Sequence, residues 1–132
     1  MTVLTDLPAG HDFPPIAFSV NAAQSRAYRA ATGDTLPLYD EAGLVPPLAV
    51  AALALGALLE SVSLPPGTLH ASESVTYVSP VPVDATLECR ARLAQRSVRG
   101  GWVVSVLDSD ILLDGTTAVS TRATVMSPAA PS

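Results

Sequence analysis

No charged side chain occurs between Val45 and Leu59, and nothing else in the chain constrains its fold as strongly. The run is about fifteen residues long, short of the roughly 20 that a helix needs to span a bilayer. It opens with Pro46-Pro47 and ends at Glu60. Paired prolines suit the first turn of a helix, where a missing N–H costs no helical hydrogen bond. The sequence therefore predicts a helix from Leu48 to about Val62, stopped by Pro65-Pro66-Gly67. A helix that is apolar on every side must be wrapped by protein when lipid is excluded.

Beyond Gly67 the chain reads as strand. Leu69 to Val78 comes first, then the turn Ser79-Pro80-Val81-Pro82, then Ala85 to Arg96, where Leu87, Cys89, Ala91 and Leu93 alternate with Glu88, Arg90 and Arg92. Arg99-Gly100-Gly101 and Asp114-Gly115 mark hairpins around Trp102 to Leu113 and Thr116 to Met126. Upstream, Ile16 to Val20 suits a short strand and Asn21 caps a helix over Ala22 to Thr32, with Gln24 at the reciprocal capping position and Gly33 as its left-handed end. Thr35 to Val45 is expected as loop, Met1 to Pro15 as an irregular arm, and Ser127 to Ser132 as a flexible tail.

At 132 residues the chain suits one domain, 1–132, with no room for two cores. The formal charge is −5 and all seven basic residues are Arg, so the basic surface that tracks nucleic acid is not expected. One cysteine forms no internal disulfide, and Met1 to Pro15 lacks the cationic start and apolar core of a signal peptide, so cytoplasmic residence away from the membrane is expected. His70 and Cys89 have no ligand spacing around them, and no metal site is expected.

The segment Tyr28-Arg29-Ala30-Ala31-Thr32-Gly33-Asp34-Thr35-Leu36-Pro37-Leu38-Tyr39-Asp40-Glu41 resembles the MaoC-like (R)-specific enoyl-thioester hydratase and dehydratase signature, roughly Y-x-x-x-[ST]-G-D-x-N-P-[IL]-H-x-D. Ser72 to Val81 looks like the family's E-x-x-F-x-x-P-[IV] strand and turn. The resemblance implies an α+β hot-dog domain, a curled antiparallel sheet around a buried central helix. It also implies an acyl-thioester ligand, with coenzyme A or phosphopantetheine present only as part of the substrate and no other cofactor.

In that family Asp and His hold one water against carbon 3 of the 2-enoyl thioester. Asp34 falls at the aspartate, whereas Leu36 replaces the asparagine and Tyr39 the histidine. A phenol orients water or donates a hydrogen bond but replaces imidazole poorly near neutral pH. Aligning Leu44 to Leu48 on the family's I-A-H-G-[ML] puts Pro47, which has no N–H, on the glycine. Losing one donor to the developing thioester oxyanion costs about 100- to 1000-fold, and the Leu48 amide is the available substitute. The candidate catalytic residues are Asp34 and Tyr39, and the candidate substrate-binding residues are Leu36, Val45, Pro46, Pro47 and Leu48.

Several readings stay open. The chain is a hydro-lyase working through Asp34, or a non-catalytic acyl-binding subunit completed by a MaoC-like partner, or an isomerase or cyclase on a repurposed site. A thioesterase fits less well, because Leu48 to Leu59 carries no carboxylate. Asp34 is also ordinary turn chemistry, Tyr39 an ordinary packing residue, and Arg90, Arg92, Arg96 and Arg99 either meet coenzyme A phosphates or form a solvated strand face. An open sheet edge predicts a homodimer or a heteromer.

Overall fold

The computed structural model describes residues 2–129. Strand β1 (Ile16–Phe18) leads into helix α1 (Ala22–Thr32). The Asn21 side chain accepts the Gln24 N–H at 2.7 Å and the Gln24 side chain accepts the Asn21 N–H at 2.9 Å, so two otherwise orphaned donors are satisfied reciprocally. Gly33 ends α1 at φ 71°, a conformation that strains any residue with a Cβ.

The expected loop from Thr35 to Val45 is more ordered than the sequence suggests. It contains helix α2 (Leu38–Ala42) and strand β2 (Leu44–Val45). Pro37 at φ −71° and Gly43 at φ 65° bracket the helical turn, so residues read as loop punctuation are a start and a stop. Strand β2 is held from a distance by β4 (Val81–Pro82), with buried Val45 opposite buried Val81.

Helix α3 (Pro47–Glu60) buries Ala49, Val50, Ala51, Ala54 and Leu58. It is not covered on every side: Leu48, Ala52, Gly56 and Glu60, spaced by four, form one exposed stripe. The sheet that backs α3 contains β3 (Leu69–Tyr77), β5 (Leu87–Arg99), β6 (Trp102–Leu113) and β7 (Thr116–Pro128), in the order β1-β5-β6-β7-β3 with every neighbour antiparallel. This α+β arrangement, a curled antiparallel sheet against one central helix, is the hot-dog architecture.

One terminal expectation needs correction. Strand β7 continues through Ser127 and Pro128 rather than fraying at 127, because Pro128 pairs with Trp102, Ser127 is buried and bonded to Thr68 at 3.0 Å, and the Ala129 N–H reaches Gly101 at 2.8 Å. Residues 130–132 of the expected tail lie outside the described residues. The N-terminal arm has one 3-10 turn, Leu4–Asp6, and is otherwise irregular, yet it is docked: Leu4, Leu7 and Phe13 are buried in the core. Gly10 and Phe13 donate to the carbonyls of Leu93 and Ala91 at 2.7 and 3.0 Å, and Leu93 donates to His11 at 2.8 Å. The arm thus continues along β5 the edge protection that β1 begins. No described helix is long and apolar enough to cross a membrane.

Candidate functional site

Asp34 follows the left-handed end of α1. Its N–H donates to the Arg29 carbonyl at 2.8 Å, and its Oδ1 accepts the Leu36 N–H at 3.0 Å. This is the local turn that an Asp side chain makes with backbone two residues on. Oδ2 has no protein partner among the described residues. The half-buried side chain lines an open cleft of about 440 Å³ with Arg26, Arg29, Thr35, Leu36, Pro37 and Asp40.

Tyr39, half-buried on α2, opens on a different cleft of about 160 Å³ beside Ser25, Gly43, Leu44 and Val83. Arg26 and Asp40 line both clefts and form the ridge between them. The two candidate catalytic residues are therefore neighbours on one surface rather than partners in one cavity. Of the candidate binding residues, Leu36 shares the cleft of Asp34. Val45 and Pro46 are buried, Val45 in the core; Pro47 is half-buried and Leu48 is 58% exposed. None of these four lines either cleft.

The start of α3 carries one useful donor. Pro46 and Pro47 have no N–H, and the N–H groups of Ala49 and Val50 both go to the Pro46 carbonyl, at 3.0 and 3.2 Å. Among the described residues, the Leu48 amide is left as the first-turn donor without a protein partner, at the positive end of the helix dipole.

The motif does not reveal Arg29 and Asp40. Arg29 is 6% exposed and forks onto Asp40, with Nη2 2.7 Å from Oδ1 and Nη1 3.4 Å from Oδ2. Its guanidinium carbon lies 5.7 Å from the centre of the Tyr39 ring, within cation–π range. Both residues fall on positions that the signature leaves unspecified. Their separation of 11 residues crosses a helix end into a segment that reads as loop.

Arg90 pairs with Glu88 at 3.1 Å and Arg96 donates to the Thr5 carbonyl at 3.0 Å, as on a solvated face. His70 contacts the Ser72 carbonyl at 3.1 Å. Burial pushes the Cys89 thiol up, against a hydrogen bond from Ser109, which suits an inert core cysteine. No group of three possible metal ligands occurs among the described residues.

Neither a protein-family model nor a curated protein sequence matches the chain. Solved structures do. The (R)-hydratase from A. caviae involved in PHA biosynthesis superposes with a TM-score of 0.75 at 20% identity, over 93% of this chain and 98% of that one. The MaoC-like dehydratase from Rhodospirillum rubrum gives 0.75 at 20% identity over 100% of both chains. The C-terminally truncated HadBC complex, a 3R-hydroxyacyl-ACP dehydratase from Mycobacterium tuberculosis, gives 0.76 at 20% identity over 93% of this chain and 99% of that one. Likeness at this identity shows the hot-dog fold.

Proposed function

We propose that this chain is a MaoC-like hot-dog protein that binds an acyl thioester of coenzyme A or of a carrier protein. Asp34 then serves in adding water to a 2-enoyl thioester or removing it from a 3-hydroxyacyl thioester. The observation that carries this reading is the setting of Asp34. A left-handed helix end fixes its backbone, the Leu36 amide holds Oδ1, and Oδ2 is left to a cleft whose 440 Å³ falls within the usual range of small-molecule sites.

In hydration, Oδ2 accepts a proton from the water as its oxygen bonds to carbon 3, and the proton that arrives at carbon 2 comes from a second acid. Positioned proton transfer of this kind contributes about 10²- to 10⁴-fold. Negative charge develops on the thioester oxygen, and the Leu48 amide is the donor suited to it.

A second reading draws on the same geometry. Neither Tyr39 nor Leu48 lines the cleft of Asp34, which favours a site completed by another subunit, either a second copy or a MaoC-like partner with an intact Asp/His pair. Asp34 as base beside a phenol would serve isomerisation or cyclisation of a related thioester equally, and that is the remaining alternative.

The test is hydration of a trans-2-enoyl-CoA series by the purified chain beside Asp34→Asn, which keeps an oxygen for the Leu36 amide. Turnover lost in a variant of unchanged melting temperature is expected. A wild-type chain inert across the series, yet activated by mixing with a MaoC-like subunit, transfers the chemistry to the partner.

A further inference from the structure

Arg29 is the one charged side chain buried among the described residues, and both ends of the segment carrying Asp34 and Tyr39 are tied to it. Its carbonyl accepts the Asp34 N–H at 2.8 Å and the Thr32 hydroxyl at 3.3 Å. Its guanidinium holds Asp40 at 2.7 Å and lies against the Tyr39 ring. The carbonyl and the guanidinium belong to one residue in the last turn of α1, so their relative placement is set by the helix. If α2 shifts against α1 the fork breaks; if Asp34 shifts, the carbonyl contact breaks.

We infer that Arg29 is a positioning residue that holds the Asp34 carboxylate and the Tyr39 ring at a fixed separation across the two clefts, a role that rests on the reading of Asp34 as the working carboxylate. Arginine is specific to this task. Its planar fork meets both carboxylate oxygens while its face stacks on an aromatic ring, whereas an ammonium is a point charge on a flexible stem. Arg29→Lys keeps the charge and loses the geometry.

Arg29→Met, Arg29→Lys and Asp40→Asn test the inference, each assayed by hydrogen exchange and by steady-state hydration of an enoyl-CoA. The Asp40 side chain is 59% exposed and asparagine keeps one acceptor oxygen for the fork, so Asp40→Asn is the milder variant beside Arg29→Met. The reporters are the Leu36 N–H, bonded to Asp34 Oδ1, and the Glu41 N–H, bonded to the Pro37 carbonyl at 3.0 Å.

Both amides are expected to exchange about 10-fold faster in Arg29→Met and in Asp40→Asn, while β5 and β6 keep wild-type protection. The expected kcat falls about 10- to 100-fold with KM held within about twofold, since a misplaced group costs chemistry rather than binding. Arg29→Lys is expected to recover only part of either loss, and the Arg29→Met/Asp40→Asn double variant to be no worse than the poorer single one. Wild-type exchange at Leu36 and Glu41 in both Arg29→Met and Asp40→Asn overturns the inference, as does a loss confined to melting temperature with kcat per folded chain unchanged. Where the wild-type chain hydrates nothing, exchange decides alone. A loosened segment then keeps Arg29 as the positioning residue and removes only the reading that this chain hydrates unaided.

Discussion

At the residue scale, the substitution with the largest chemical consequence is a phenol at the place of an imidazole. Imidazoles exchange protons near neutral pH and phenols ordinarily do not, so Tyr39 offers a hydrogen bond where the resembled family offers proton transfer. The Tyr39 ring against Arg29 is a packing contact that needs no hydroxyl. Tyr39→Phe is therefore expected to melt at the wild-type temperature. A kcat reduced about 10-fold or more in that variant shows that the hydroxyl serves the substrate. The complementary change, Leu36→Asn with Tyr39→His, restores the signature and is expected to raise enoyl-CoA hydration about 100-fold, read from initial rates at saturating substrate. The turn that holds Asp34 was legible in the sequence, because a helix-ending glycine is followed directly by a carboxylate. Arg29 and Asp40 were not, because an ion pair across a helix end has no local signature.

At the scale of elements, legibility tracked the range of the forces involved. Helix α1 has the bounds that Asn21, Gln24 and Gly33 dictate, and β6 has those set by the turns Gly100-Gly101 and Asp114-Gly115. Both are specified by neighbours in sequence. Strand β2, the end of β7 and the docking of the N-terminal arm depend instead on Val81, Trp102 and Ala91, which are distant in sequence. The cap is expected to be measurable: Asn21→Ala should lose about 1 kcal/mol in urea unfolding. The outer face of the sheet carries a cross-strand pair, Asp108 on β6 and Arg122 on β7, joined at 2.7 and 2.8 Å. The Arg122 hydrogen bond holds the Asp108 carboxyl below its ordinary range, against partial burial. A folded-state value below the unfolded one stabilises the fold above the unfolded value, and that contribution is lost as pH falls through the folded one. Asp108→Asn should thus lower the melting temperature slightly at neutral pH, and the gap should close as pH falls below the ordinary carboxylate range. Both side chains are well exposed, so the effect is small and shrinks in high salt.

At the scale of the whole molecule, the two edges of the sheet are unlike. The β5 side is closed by β1 and by the arm, whereas β3 runs nine residues, Leu69–Tyr77, with no strand outside it among the described residues. An uncovered edge of that length is a template for pairing. Leu69, Tyr77 and Val78 stand exposed along it. Burial pushes the carboxyl of Glu73 on this strand up, with His70 opposing, and its Oε2 has no partner among the described residues. A second chain across the β3 edge covers these features together, and an isologous two-fold contact is the closed way to do so. The chain is accordingly expected to sediment at twice its 13.5 kDa at micromolar concentration. Tyr77→Lys with Val78→Lys should shift it to monomer, because charged side chains on an open edge oppose pairing with a second chain. A wild-type chain that stays monomeric under these conditions rules out the homodimer and leaves the heteromer. Hydration separates the functional readings within the same experiment: a folded but inactive monomeric variant makes the second subunit part of the site, and a fully active one makes the cleft of Asp34 sufficient by itself.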